Sequence, residues 1–217
     1  MKPYRVVVFD WDGTVMDSTH SIVASIQGAC ADLELPIPPA SEARWVIGLS
    51  LESALRRAVP RLTAAQYPLF LQRYRAHFLR LDPDLAMFDG IAALFEALRG
   101  RGVRLAVATG KSRVGLDRAL AKLGLQETFA ATRCADESYG KPHPAMLLEL
   151  MQELDAAPEH MVMVGDTAHD IEMAHAAQVD GVAVEYGAHD HETLLLARPL
   201  AMLPSVADLQ AWLLPRV

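Results

Sequence analysis

The hydrophobic pattern falls into three regimes along the chain. Val6-Val7-Val8-Phe9 is a continuous apolar run rich in β-branched residues, which predicts a strand buried on both faces. It stops abruptly at Asp10-Trp11-Asp12-Gly13-Thr14. Over the next stretch, to about residue 82, apolar positions recur at helical spacing. Ser18 is the expected N-cap of a first helix with Ile22, Ile26, Ala29 and Leu33 on one face, ended by Pro36, Pro38 and Pro39. Residues 41–47 read as helical up to Gly48. Ser50 caps a helix carrying Leu51, Ala54, Leu55 and Ala58, which Pro60 closes. Thr63 and Gln66 form a capping box ahead of a stripe at Leu71, Tyr74, Phe78 and Leu81, with Pro68 leaving the exact start open.

After an Asp82-Pro83 linker and a Phe88-Asp89-Gly90 turn, helix and strand alternate. Ile91, Leu94, Phe95 and Leu98 make an amphipathic helix ended near Gly100 and Gly102. Val103–Ala108 is a strand ending in Thr109-Gly110-Lys111-Ser112. A helix with Leu116, Ala119, Leu120 and Leu123 leads to an extended piece at 129–132. Lys141-Pro142-His143-Pro144 opens a helix with Leu147, Leu150, Met151 and Leu154 inward. Met161–Val164 is a strand ending in Gly165-Asp166, followed by a helix with Ile171, Ala174 and Ala177. Strands are expected at 182–184 and 200–203, then a Ser205-capped helix burying Leu209, Trp212 and Leu213.

Such alternation predicts an α/β fold, a Rossmann-like doubly wound parallel sheet covered on both faces. The helical block interrupts it and reads as an inserted α-helical domain at 17–82, leaving 1–16 and 83–217 as the α/β domain. No internal repeat or low-complexity segment is visible.

Composition narrows the setting. Two cysteines, Cys30 and Cys134, suggest neither a disulfide framework nor a cysteine metal site, so a reduced, cytoplasmic location is expected. No apolar stretch approaches the roughly 18 residues of a membrane span, and the direct entry into a strand leaves no room for a signal peptide. With a formal net charge of −7 and no basic block, nucleic acid and anionic membranes are poor partners. A monomer or homodimer acting on a small molecule is expected.

Ligands of open parallel sheets bind outside the carboxyl ends of the strands. There the chain places Asp10 and Asp12, then Thr109, then Asp166 with Asp170 one turn on, and Lys141 ahead of a helix between them. Four carboxylates do not share a small site as bare anions; a hard divalent cation such as Mg²⁺ compensates them. A cation, a lysine and a hydroxyl also receive a phosphate dianion. One Asp can then attack phosphorus and another move the proton, although the residues alone do not say which.

Asp10-Trp11-Asp12-Gly13-Thr14, Thr109, Lys141-Pro142 and Gly165-Asp166-Thr167-x-x-Asp170 resemble, in order and spacing, the four motifs of the haloacid dehalogenase-like hydrolases. The resemblance spans the whole chain. The helical insert resembles the small cap of the subfamily that includes phosphoglycolate phosphatases and β-phosphoglucomutases. It implies Asp10 as nucleophile and metal ligand, and Asp12 as general acid/base with its backbone carbonyl on the metal. It implies Thr109 and the Gly110 N–H on phosphate oxygens, and Lys141 balancing charge between phosphate and Asp10. Asp166 would bind Mg²⁺, and Asp170 would support the metal site or orient Lys141. Arg44 and Gly48 of the cap are expected to face the substrate.

The implied activity is Mg²⁺-dependent hydrolysis of a small phosphate monoester of the phosphoglycolate type, through an aspartyl phosphate. The alternatives are β-phosphoglucomutase-like phosphoryl transfer, pyrophosphatase or nucleotidase activity, and a catalytically inactive binding protein. Asp12 and the absence of lysine from 17–82 argue against dehalogenase and phosphonate-cleaving relatives. Leu51 stands where mutases carry an arginine, unless Arg44, Arg56 or Arg57 replaces it.

Other residues have plainer readings. Lys111 either touches substrate or solvates a loop. Trp11 is expected to be packing, and Trp45, Tyr74 and Phe78 cap core. His143 is expected to be structural and His169 to shape its turn. His189-Asp190-His191 reads as a solvated loop rather than a second metal site, with His189 near the strand ends. Cap closure would exclude water, with hinges near 15–18 and 82–89.

Overall fold

A computed structural model describes residues 3–81 and 86–217. The Asp82-Pro83 linker, and part of the expected 82–89 hinge, lie outside the described residues. Six strands form one parallel sheet: β1 (Val6–Phe9), β2 (Arg104–Thr109), β3 (Ala131–Cys134), β4 (Met161–Gly165), β5 (Asp180–Val184) and β6 (Ala201–Leu203), in spatial order β3-β2-β1-β4-β5-β6. The helices are α1 (Thr19–Asp32), α2 (Ala40–Trp45), α3 (Leu51–Ala58), α4 (Tyr67–Leu81), α5 (Ile91–Arg99), α6 (Arg113–Leu123), α7 (Ala145–Glu153), α8 (Ala168–Ala176), α9 (His191–Leu196) and α10 (Val206–Leu213).

The apolar run of β1 is central because it must be covered on both faces. Val7 and Phe9 pack with α5, α6 and α10 through Leu94, Leu98, Leu116 and Leu209. Val6 and Val8 point the other way, onto Met146, Leu147 and Leu150 of α7 and Met173 of α8. Phe9 pairs with Val107 of β2 and Val164 of β4. Asp10, Thr109 and Asp166 therefore leave the sheet within two residues of one level. The strand order reverses at β1 and β4, the kind of switch point where such sheets leave a crevice.

A third apolar cluster lies over that edge. It is built from Ile22, Val23 and Ile26 of α1, Val46, Leu55, and Phe70 and Phe78 of α4. Ala188, from the loop after β5, belongs to the same cluster, so the helical layer packs directly on the strand ends. Residues 15–17 and 86–88 cross between the layers side by side. The Asp17 N–H donates to the Ala86 carbonyl at 3.0 Å, and Phe88 N–H to the Val15 carbonyl at 3.0 Å.

Several local expectations change. Ser18 precedes α1 but makes no side-chain cap to it. Ser50 does cap α3, accepting from Ser53 N–H. Thr63 and Gln66 exchange backbone-to-side-chain bonds one turn ahead of α4, and Pro68 fits in its first turn, where no intrahelical N–H bond is needed. The extended piece after α6 lies at 131–134 rather than 129–132. The helix α9 was not expected: its start is Asp190, whose carboxylate accepts from Thr193 N–H at 2.8 Å.

Candidate active site

Asp10 follows β1, its N–H still bonded to the Val164 carbonyl at 2.9 Å. It is almost wholly buried. The Lys141 ammonium, with no exposed side-chain surface, lies 2.7 Å from Asp10 Oδ1 and 2.6 Å from Asp170 Oδ1. Burial alone would lower the lysine pKa, but the two carboxylates outweigh it and hold the ammonium charged. Burial also drives the Asp10 carboxyl well above the usual carboxylate range; Lys141 opposes this, while Asp170 and Asp166 add to it.

Asp166 is gripped at both oxygens. Thr14 donates its hydroxyl to Oδ1 at 2.7 Å, and Ala188 N–H donates to Oδ2 at 2.7 Å. Burial, then the neighbouring Asp170, push its pKa up to about 7 against these two bonds. The backbone closes on this carboxylate because Gly13 has no side chain. Its φ is +88°, and a Cβ there would stand 2.1 Å from Asp166 Oδ2. Asp170 Oδ2 accepts from the Thr167 N–H at 3.1 Å and hydroxyl at 2.7 Å, so both oxygens of Asp170 are committed.

The residues fit a cation. Asp10, Asp166 and Asp170 each offer an oxygen, and these oxygens lie within 4.8 Å of one another. They are the one such cluster found among the described residues. Asp10 Oδ2 is buried with no hydrogen bond or ion pair among them. An all-oxygen donor set, one orphaned carboxylate oxygen and three buried carboxylates facing a single ammonium suit a hard divalent ion. Of the three, only Asp10 has an oxygen without a partner, and Asp166, unlike Asp170, makes no ion pair to Lys141 among the described residues.

Asp12 points into the space above. Its Oδ1 accepts the Ser18 hydroxyl at 2.7 Å, which is where that side chain goes instead of capping α1. The Lys111 ammonium lies 2.9 Å from each Asp12 oxygen and 4.9 Å from the centre of the Phe78 ring of α4. Lys111 thus solvates no loop; it bridges the strand-end loop and the helical layer. Thr109 is buried, and its Oγ1 accepts Lys111 N–H at 3.1 Å, leaving the hydroxyl proton to be donated elsewhere. Trp11 is fully buried against Phe129.

A cavity of about 600 Å³ separates the helical layer from the strand ends. Asp10, Asp12, Thr109, Gly110 and Lys111 line one side, and Ile22, Ile26, Gly48, Tyr74 and Phe78 are among those lining the other. Tyr74 and Phe78, expected only as core, therefore also form its wall. Gly48 faces it as expected, with φ +88°. Arg44 does not: it is exposed on α2 and absent from the lining, which takes its guanidinium groups from Arg75 and Arg118 instead. The turn between α2 and α3 rests on Gly110, where a Cβ would come 2.5 Å from the Leu49 carbonyl oxygen.

Beside the cavity the layers are latched through one carbonyl. Trp45 O accepts from His189 Nε2 at 2.9 Å and His169 Nε2 at 3.1 Å. Ala168 N–H donates to His189 Nδ1 at 3.0 Å, which fixes the proton of that ring on Nε2. Burial lowers both histidines, His169 to about 4, so they act as neutral donors. The His189-Asp190-His191 trio divides into separate jobs: this latch, the α9 cap, and a contact of His191 with Glu185. His143 accepts from Ala145 N–H at its helix start.

Ser18, Thr14 and the Ala188 N–H are the partners that sequence reasoning did not assign. Thr14 had a signal, a hydroxyl two residues past Asp12. Ser18 and Ala188 had none beyond composition.

Residues 7–184 match the model of the haloacid dehalogenase-like hydrolases, and the chain belongs to that family. It is 36% identical to the "Probable phosphatase IndB" of Dickeya dadantii, over 96% of this chain and 92% of the relative. It is 34% identical to the tyrosine-protein kinase PtkA of Mycobacterium tuberculosis, over 84% of this chain, and spans 62% of that kinase's length. Among solved structures, a predicted phosphoglycolate phosphatase from Haemophilus somnus superposes with a TM-score of 0.87. At 24% identity and with 98% of this chain and 99% of that one covered, it shares the fold.

Proposed function

We propose that this haloacid dehalogenase-like hydrolase is a Mg²⁺-dependent phosphatase that cleaves a small phosphate monoester through an aspartyl phosphate on Asp10. One observation carries the reading: at the cavity floor, Asp10 is held by Lys141 at Oδ1 while its buried Oδ2 has no partner. A carboxylate so placed is oriented at one oxygen and available at the other.

The phosphate sits against Thr109, the Gly110 N–H and Lys141. Asp10, Asp166 and the Asp12 backbone carbonyl would hold Mg²⁺, which would supply positive charge against the phosphate oxygens. Asp10 attacks phosphorus through a carboxylate oxygen, the ester P–O bond breaks, and Asp12 gives its proton to the departing alkoxide oxygen. Water then attacks the aspartyl phosphate, its proton goes to Asp12, and phosphate and free Asp10 result. Lys111 leaves Asp12 for the phosphate dianion when substrate enters, which frees Asp12 to carry that proton. Asp170 acts by orienting Lys141, and Ser18 by orienting Asp12.

The test is phosphate release from p-nitrophenyl phosphate with Mg²⁺ by the wild type and Asp10→Asn. The variant should lose about a thousandfold or more in kcat, some 4 kcal/mol of barrier, with its melting curve retained. Turnover within tenfold of wild type would remove Asp10 as nucleophile.

A further inference from the structure

We propose that the cavity selects monoesters whose leaving group is apolar, an aryl or medium-chain alkyl alcohol, rather than a two-carbon carboxylate such as glycolate. The inference rests on the phosphatase reading for the phosphate end and concerns what lies beyond it.

The cavity is strongly two-sided. Its buried polar side chains, Asp10, Asp12 and Thr109, gather at the floor, and the exposed charged ones stand at the rim. Away from the floor, Ile22, Ile26, Val46, Leu49, Tyr74 and Phe78 form the wall. At about 600 Å³ the space has the size of pockets that enclose whole drug-sized ligands. A glycolyl group would occupy a small part of it and leave the rest to water against apolar side chains.

Charge leads to the same conclusion. A carboxylate two carbons from phosphorus needs a cation close to the floor, or it loses its hydration for nothing. Residues 17–82 contain no lysine. Of the two lysines on the strand-end side, Lys141 is held between Asp10 and Asp170, and Lys111 is engaged by Asp12 and, in the proposed mechanism, by the phosphate. Arg75 and Arg118 do line the cavity, but both are exposed and share its rim with Glu52 and Asp136. An apolar leaving group meets none of these difficulties, and covers Ile, Val, Leu and Phe surface that otherwise faces water.

The experiment uses the Mg²⁺-loaded wild type with ethyl, butyl, hexyl and phenyl phosphate and 2-phosphoglycolate. kcat/KM should climb about fourfold per methylene until the space is filled, with phenyl phosphate near butyl or better and 2-phosphoglycolate below butyl. A flat series, or 2-phosphoglycolate as the best substrate, would overturn the proposal while leaving the phosphatase reading intact. Binding of ethyl- to hexylphosphonate, which cannot be hydrolysed, gives a second readout by calorimetry. Affinity should rise with chain length by a similar factor, with a negative heat-capacity change. If no ester were turned over yet the phosphonates kept this trend, the hydrolase reading would fall and the apolar site would stand; phosphonate affinity indifferent to length would overturn the apolar site. Leu49→Arg places a cation on the wall and should reverse the order, favouring 2-phosphoglycolate over butyl phosphate. An unchanged order in the folded variant would count against the assignment, and the wild-type series decides the matter if that variant does not fold.

Discussion

The Lys111 ammonium lies 2.9 Å from both carboxylate oxygens of Asp12, across a sequence separation of 99 residues. The pair is largely withdrawn from solvent, with side-chain exposures of 14% and 11%, so screening by salt is weak. A phosphate dianion entering the cavity offers Lys111 a more highly charged partner. Lys111→Met should therefore raise KM about tenfold or more, the value of one charged hydrogen bond, and change kcat less. Steady-state phosphate release with KM and kcat resolved checks this; an unchanged KM would mean that Lys111 never reaches the phosphate.

Gly110 is the point on which the helical layer rests. A methyl group there would stand 2.5 Å from the Leu49 carbonyl oxygen and 2.6 Å from that of Gly48. Backbone on both sides leaves no flexible side chain to yield. Gly110→Ala should hold the layers apart, lowering kcat/KM at least about tenfold because water enters the site. Small-angle scattering should report a larger radius of gyration. A variant with wild-type scattering and activity would show that the contact is not needed for closure.

Asp170 joins two structures, the start of α8 through Thr167 and the charge of Lys141. Removing one partner of a buried pair leaves the other uncompensated, at a cost of about 3–5 kcal/mol. Asp170→Ala should lose stability of that order in urea denaturation of the metal-free protein, and activity with it as Lys141 loses its second anchor. A loss below about 1 kcal/mol would mean that Lys141 finds another partner.

The buried acids and histidines pull stability in opposite directions with pH. Asp166 titrates near 7 when folded and about 3.9 when unfolded, so the folded form binds more protons between these values. Its stabilising effect is complete below pH 4 and is lost as pH rises through 7. Asp10, raised in the same sense, adds to this. His169 is lowered to about 4, so its contribution is present above about 6.5 and is lost as pH falls toward 4. Between about pH 4 and 6.5 the two trends oppose each other and largely cancel, so the melting temperature of the metal-free protein should change little there. It should fall between pH 6.5 and 8. Mg²⁺ should recover more stability at pH 8 than at 6, because it binds the deprotonated carboxylates. Scanning calorimetry in EDTA and in Mg²⁺ decides it; a metal-free protein that gains stability from 6.5 to 8 would contradict the assignment.

Much of the site is legible in the sequence because it is assembled from strand ends. A buried strand that stops at a polar residue is a local pattern, and parallel strands bring such stops to one edge. Asp10, Thr109 and Asp166 come together for that reason, with Asp12 and Asp170 a few residues beyond such stops and Lys141 in the segment that leads from β3 into α7. Boundaries moved by a residue or two, as at Ala131–Cys134, because ladder hydrogen bonds and not side-chain patterns end a strand. The helix α9 went unread because the six residues His191–Leu196 are too few to display a period.

The sequence by itself determined the order of elements apart from α9, the two faces of the sheet, the acidic edge and the family to which the chain belongs. Those properties follow from which residues are apolar and from short motifs, and neighbouring residues specify them. Tertiary structure alone decided that Ser18 serves Asp12 rather than its helix, that Lys111 covers Asp12, and that Arg44 faces solvent. It also decided that the Trp45 carbonyl gathers His169 and His189 from 124 and 144 residues away. These are choices among partners with equal local claims. A hydroxyl, an ammonium or an imidazole N–H takes whichever acceptor the packed layers bring within about 3 Å, and no spacing along the chain encodes that distance.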